Sequence, residues 1–415
     1  MKIKVYRGTN EIGGTCVELK AENGKILWVD LGSPLEEKNP NTNYTNNKVD
    51  ALLISHPHQD HFGLMETVGV EVPVYVGELS LDLINATRLF RGMSDVPGNF
   101  KFINPWKSFT IQDTFHVTPY LTDHSTPEAF AFLIEADGKR VFYSGDFRAT
   151  GRKGQVFQSI IERPPKNIDL LLVEGTMVGR ANHKYETEDS IEQAFYEKIR
   201  GQANVSFVIS SAQNLDRLIS VFRACKRTQK QLVLDVYSAW ILDLARKKSE
   251  KVPAMEWEGI KIYDHPGQLL KLNDSRYDEF KARIEAQRIG NDVFKKPSDY
   301  VYFVRCPNTA LINKLKQHGT INILYSQWQG YLLEEYKTYC TDIVKDLIAQ
   351  PYISFEHIHT SGHATVEDLV KFTKAMNSSQ VAPIHTAHPA KLKLEFEAEG
   401  LRNINLWEDG KEYTL

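Results

Sequence analysis

Along the first 175 residues, apolar positions come in short blocks rich in β-branched and aromatic residues, each closed by Gly, Asn or Asp. The blocks KIKVYR, TCVEL, KILWVDLG, VDALLIS, VPVYVG, TFHVTPY, AFAFLIEA, RVFYSGD and DLLLVEG have the length and composition of strands. AFAFLIEADGKRVFYSGD predicts a hairpin turned at Asp-Gly. ELSLDLINATRLF, with apolar residues recurring at three and four, predicts a helix. From about Glu188 the rhythm changes. Helical patterns (SIEQAFYEKI, NLDRLISVFRACK, YSAWILDLARKK) alternate with short apolar strands (NVSFVIS, QLVLDV, YVYFV, INILYS), which predicts an α/β unit with a mostly parallel sheet. The last 65 residues bring histidines back, in YISFEHIHTSGHA and VAPIHTAHP, on either side of a helix VEDLVKFTKAM. A ligand-rich start, a ligand-poor middle and a ligand-rich end suggest one domain interrupted by another. The expected boundaries are 1–185, 186–350 and 351–415.

Composition narrows the class without naming a function. Of 415 residues 42% are hydrophobic and 25% charged, as in an ordinary soluble globular protein. No apolar run approaches the ~20 residues of a membrane span, and the first residues lack the apolar core of a signal peptide. Cys16, Cys225, Cys306 and Cys340 are scattered without a C-x-x-C pair, so they read as reduced thiols in a cytoplasmic protein. The net charge of −3 hides a contrast: residues 180–345 carry 26 Lys+Arg against 21 Asp+Glu, so the excess acid lies elsewhere. That permits a polyanionic partner but does not require one.

The chemistry concentrates in SHPHQDHFG, residues 55–63. Pro57 disfavours helix at His56, so His56 and His58 should lie in extended chain and point the same way. Asp60 and His61 would then face the same centre from a loop. Imidazoles and carboxylates suit zinc, manganese or iron, and the lack of thiolates argues against a closed structural zinc site.

This stretch resembles the signature of the metallo-β-lactamase superfamily. Asp30 in WVDLG matches its early structural aspartate, His124 in TDHS its third ligand histidine and Asp146 in YSGD its bridging carboxylate. Nearly the whole chain is similar to the β-CASP nucleases, the branch that includes ribonuclease J. Glu174 in LLVEGT, His363 in HTSGHA and His385 in VAPIHT match its acidic motif and its two later histidine motifs. The last motif departs from the family, reading HTAHP where H-G-E is usual; spacing from His363 favours His385 over His388. The chain stops soon after the returning segment, so that family's C-terminal domain is not expected.

The resemblance implies an αββα metallo-β-lactamase sandwich carrying an inserted α/β β-CASP domain. It also implies two divalent ions, zinc or else manganese: His56, His58 and His124 for one, Asp60, His61 and His385 for the other, with Asp146 bridging. Two cations ~3.5–4 Å apart supply hydroxide near pH 7 and offset phosphodiester charge. Asp60, Glu174 and His363 form the expected catalytic set, with Glu174 orienting His363 as general acid. Phosphate contacts are expected from Ser211, Asn214 and Arg217 in SSAQNLDR and from His359, Ser361 and Gly362, while Trp328 reads as a packing residue ahead of a base-stacking surface. The expected activity is hydrolysis of RNA, single-stranded in preference, to 5′-phosphate and 3′-hydroxyl ends, with no membrane partner and homodimer formation left open. A DNA nuclease of the same branch is the alternative, followed by a small-ester or thioester metallohydrolase. The latter has no use for Glu174, HTSGHA or the long insertion.

Overall fold

Most strands of the first region are apolar on both faces, and the fold uses both. In the strand Phe130–Ala136, Phe130, Phe132, Ile134 and Ala136 enter one buried cluster while Ala131 and Leu133 enter another. Leu170–Glu174 divides in the same way, Leu170 and Leu172 against Leu171 and Val173. Side chains alternate across a strand, so a continuous apolar run marks a sheet covered on both sides.

The computed structural model describes residues 1–35, 42–180, 184–202, 204–333 and 338–415. They form two compact units. The first comprises Met1–Ile84, Val96–Asn182 and Gly362–Leu415; the second comprises Asn85–Asp95 and His183–Ser361.

The first unit is a sandwich of two sheets. One is seven-stranded, in the order Glu412–Thr414, Lys2–Arg7, Cys16–Lys20, Ile26–Val29, Ala51–Leu53, Pro73–Gly77, Asn99–Ile103. The other is six-stranded, in the order Gln380–Ile384, Leu170–Glu174, Lys139–Tyr143, Phe130–Ala136, Phe115–Leu121, Phe109–Ile111. Between the sheets lies a core that includes Val5, Val29, Leu53, Phe132, Tyr143, Leu172 and Ile384. Helices Gly154–Glu162, Val366–Met376 and Pro389–Ala398 supply Phe157, Phe372 and Phe396 to the outer face of the second sheet. Leu81 and Ile84 of Glu78–Arg91 pack on the outer face of the first. The layers are therefore αββα, as the resemblance implies. The hairpin turns at Asp137 and Gly138, both at positive φ (53° and 68°), the pairing a tight two-residue turn requires.

The second unit holds a six-stranded sheet whose neighbours are all parallel, ordered Ile260–Tyr263, Gln231–Asp235, Tyr300–Val304, Ser206–Ile209, Ile321–Tyr325, Ile353–His357. Two features differ from the sequence reading. Ile353–His357, placed in the returning segment, is the edge strand of this sheet, so the compact unit closes at Ser361 rather than at 350. Residues 85–95 also group here, because Leu89 and Phe90 pack on its core. Among the described residues no helix is long and apolar enough to cross a membrane.

One packing detail bears on the site. The backbone N–H groups of Leu31, Thr15 and Ser33 donate to the carbonyls of His61, Asp60 and Gln59, cradling the turn that carries the histidines. A Cβ on Gly32 would stand 1.7 Å from the Asp60 carbonyl oxygen. Gly32→Ala should therefore cost ~1–3 kcal/mol, the usual range for overpacking, measured by urea unfolding. A cost near zero would show that this turn is not held by the cradle.

Candidate metal centre

The carboxyl ends of the strands deliver the site. Asp30 follows Ile26–Val29, His56 follows Ala51–Leu53, and His124 follows Phe115–Leu121. Asp146 follows Lys139–Tyr143, Glu174 ends its own strand, and His385 follows Gln380–Ile384. His58 is extended (φ −89°, ψ 141°), as Pro57 led us to expect, but it caps a helical turn, Gln59–Phe62. Asp60 and His61 therefore sit on a short helix rather than in the expected loop. The turn forms because the N–H groups of His61 and Phe62 both find the carbonyl of His58.

Ligand atoms of His56, His58 and His124 lie within 4.8 Å of one another, as do those of Asp60, His61, Asp146 and His385. A third group, Asp146, Glu174, His363 and His385, meets the same limit. Asp146 is common to the last two. Its carboxylate stands 3.2 Å from His61, 3.6 Å from His56, and 3.7 Å from both His363 and His385. Most of these side chains are shut off from solvent; Asp60 (15% exposed) and His363 (20%) are more open.

Hydrogen bonds around the cluster fix which ring nitrogens carry protons. The Ser55 hydroxyl donates to Asp30 at 2.7 Å, so its oxygen must accept from His56 Nδ1–H at 3.0 Å. His124 Nδ1–H donates to the Gly362 carbonyl at 2.6 Å, and His61 Nδ1–H to Asp30 at 2.7 Å. Thr176 Oγ1 directs its proton to the His385 carbonyl and accepts from His385 Nδ1 at 2.8 Å. In each neutral ring the other nitrogen, Nε2, then carries a lone pair. His56 Nε2 and His124 Nε2 both stand 3.1 Å from His58 Nδ1. His61 Nε2 and Asp146 Oδ1 are buried with no hydrogen-bond partner. Lone pairs converging on one another and on buried carboxylates repel unless a cation lies among them. The donor set, nitrogen and oxygen without sulfur, fits a divalent ion such as zinc.

Electrostatics divide the cluster. Burial pushes His56 and His124 well below the ordinary imidazole range, and His58 down to about 4. Burial also lowers His61, but the carboxylates of Asp146, Asp30 and Asp60 outweigh it and hold that ring well above the ordinary range. The same contest, won by Glu174 and Asp146, raises His363. For Asp60 and Asp146, burial opposes ionisation but the surrounding imidazoles prevail, holding both carboxylates low.

Glu174 lies where an orienting carboxylate should, 3.2 Å from His363 Nδ1, and is itself pinned by the N–H groups of Phe147 and Thr176. The phosphate candidates fare differently. Arg217 is fully buried: Glu188 takes its Nη2 at 3.0 Å and Nε at 3.3 Å, and the Ser326 carbonyl and hydroxyl take Nη1. Its place on the inward face of Leu215–Arg227 makes it a structural ion pair rather than a surface anion ligand. Asn214 caps that helix by accepting from Arg217 N, and exposed Ser211 accepts from Gln213 N. His359 stacks 5.7 Å from His357, while Ser361 immediately precedes Gly362. Gly362 serves through its carbonyl on His124, and a Cβ there would crowd that ring at 3.3 Å. The Trp328 ring lies over Gly330, where a Cβ would meet it at 2.3 Å, and meets Tyr331 edge-on. The sequence reading missed Ser55, Tyr143, Thr176 and the Gly362 carbonyl as orienting groups. Only their positions beside the ligand motifs could have flagged them.

An αββα sandwich with this cluster of seven candidate ligands and an inserted parallel α/β unit is a metallo-β-lactamase fold of the β-CASP type. Residues 28–196 match the family described as Beta-lactamase superfamily domain, and residues 353–406 the Zn-dependent metallo-hydrolase RNA specificity domain. Both matches make the chain metallo-β-lactamase-like, and its relatives make it ribonuclease J-like. It is 24% identical over 309 residues to Ribonuclease J 2 of Streptococcus pyogenes, covering 70% of this chain and 54% of that one. Ribonuclease J of Helicobacter pylori is 22% identical over 449 aligned positions, covering 100% of this chain and 60% of the relative. The chain thus spans little more than half the length of these relatives. A crystal structure of an Enterococcus faecalis protein of unknown function superposes with a TM-score of 0.76 at 19% identity, covering 100% of this chain and 99% of the other.

Metal and proton compete for the same nitrogens, so the two ligand groups should release their ions at different pH. His61 holds its proton above the ordinary imidazole range, so the ion at Asp60, His61 and His385 is expected to leave first as pH falls. The ion at His56, His58 and His124 should remain until pH nears about 4. Metal content after dialysis at stepped pH checks this, with His58→Ala keeping the acid-labile ion alone. Loss of all metal in one step would contradict the assignment.

Proposed function

We propose that the protein is a metal-dependent ribonuclease that hydrolyses RNA phosphodiesters to 5′-phosphate and 3′-hydroxyl ends. The observation that carries this reading is the His363–Glu174 pair beside the ligand cluster, with His363 Nδ1 3.2 Å from Glu174 and 3.7 Å from Asp146. Such a cluster with no acid beside it would suit an ester with a good leaving group. An RNA 3′-oxygen is a poor one and needs a proton.

His56, His58 and His124 would hold one divalent ion and Asp60, His61 and His385 another, with Asp146 shared. Zinc fits the donors best, with manganese the alternative. When bound, two such ions neutralise the phosphodiester's charge and lower the pKa of water toward 7. The chain's own residues do the rest. Glu174, fixed by two backbone N–H groups, accepts from His363 Nδ1–H and so keeps the transferable proton on Nε2. The raised pKa of His363 keeps that proton in place near neutrality. Asp60, partly open to solvent, would orient the attacking water. A site this deeply buried admits a flexible single strand more readily than a duplex, and single-stranded RNA is the preferred substrate on this reading.

The test uses end-labelled RNA and single-stranded DNA of equal sequence, with metal content measured alongside. RNA should be cut faster, and a marked preference for DNA would replace the ribonuclease reading with a DNA nuclease using the same site. His363→Ala should retain its metal and lose ~10²–10⁴ in RNA cleavage, the contribution of a positioned general acid. On bis(p-nitrophenyl) phosphate, whose leaving group needs no proton, it should lose far less, whereas Asp146→Ala should lose activity on both. Loss of metal in His363→Ala would instead make His363 a ligand.

A further inference from the structure

The loops that carry His124 and Asp146 are fastened to each other by a buried charge pair, Asp123 and Arg148. Asp123 and Arg148 flank those ligands in sequence, and both side chains are 0% exposed. Arg148 N donates to the Asp123 carbonyl at 2.7 Å, and Arg148 Nε stands 3.6 Å from Asp123 Oδ1. Gly151 N donates to Asp123 Oδ2 at 2.8 Å. Around this pair, Thr122 Oγ1 donates to the Asp146 carbonyl at 3.0 Å, and Lys153 Nζ donates to the carbonyls of Thr126 and Pro127 at 2.8 and 3.1 Å. Each of these links runs between residues 122–127 and 146–153. Gly151 closes the clasp: a Cβ there would stand 2.3 Å from Asp123 Oδ1 and 2.6 Å from Arg148 Nε and Nη2.

From this we infer that Arg148, through Asp123 and under Gly151, is a positioning residue that sets the separation between His124 and Asp146, and so between the ion at the three-histidine group and the shared carboxylate. A buried ion pair is a poor source of net stability, because desolvation offsets its attraction. What it supplies is a fixed geometry, directed here at two turns that must agree to a few tenths of an ångström. The inference rests on the ligand assignment above but not on the identity of the substrate.

The test is Co(II) binding, read by competition with a chromophoric chelator and by visible absorption, whose d–d bands report coordination geometry. Wild type, Arg148→Met and Gly151→Ala are compared, with unfolding curves to confirm that each is folded. We expect both variants to bind the ion at the three-histidine group ~10–100-fold more weakly, the usual cost of removing a group that orients a ligand, with displaced absorption bands. RNA cleavage should then fall in kcat with little change in KM. Gly151→Ala keeps both charges, so it decides the matter alone if Arg148→Met does not fold. Unchanged cobalt affinity and bands in the folded variants would overturn the inference, even if RNA cleavage fell. A wild-type protein that binds Co(II) at both groups yet leaves RNA intact would overturn the nuclease reading and leave this inference standing.

Discussion

The buried carboxylate of Asp30 is the constraint on which the site depends. It has no access to solvent and accepts from Ser55 N, Ser55 Oγ, His61 Nδ1 and the Tyr143 hydroxyl. A buried charge without partners would cost several kcal/mol, so these four donors are held to it. Each has a consequence. Through Ser55 the carboxylate sets the proton on His56; directly it sets the proton on His61; through Tyr143 it ties the first sheet to the second. The price is paid in the backbone, since Asp30 sits at φ 59°, in the left-handed region that non-glycine residues avoid. His385, which delivers a ligand from the opposite sheet, is also left-handed at φ 48°.

Fixing the protons on Nδ1 turns a group of histidines into a set of lone pairs aimed at one space. Asp146 completes it, central to four imidazoles. Glu174 extends the same order outward: through Thr176 N it steadies the group that orients His385, and through its own oxygens it holds His363. The candidate ligands and the proposed acid thus lie on one connected hydrogen-bond network.

Much of this was legible in the sequence because ligand chemistry is local. A histidine-rich stretch at a strand end, followed in order by TDHS, YSGD, VEGT and HTSGHA, leaves few arrangements open, and the resemblance carried by these motifs implies the sandwich. What escaped depends on facing direction and long-range packing. The resemblance of SSAQNLDR to a phosphate-pocket segment at a strand-to-helix turn implies a phosphate contact from Arg217. The helix instead turns it inward onto Glu188, 29 positions earlier in the chain. Gly362 was expected to admit phosphate, yet its carbonyl orients His124. Ile353–His357 lies close to the histidine motifs, but its hydrogen bonds run to Ile321–Tyr325 in the second unit. Pairing of that kind leaves no mark on local pattern.

The account stands on two ions sharing one carboxylate. The most direct test is an anomalous-difference map at the metal's K-edge, from crystals grown without chelator. It should show two peaks ~3.5–4 Å apart, one against His56, His58 and His124, the other against Asp60, His61 and His385, with Asp146 reaching both. A single peak, or two peaks with Asp146 bound to neither, would contradict it.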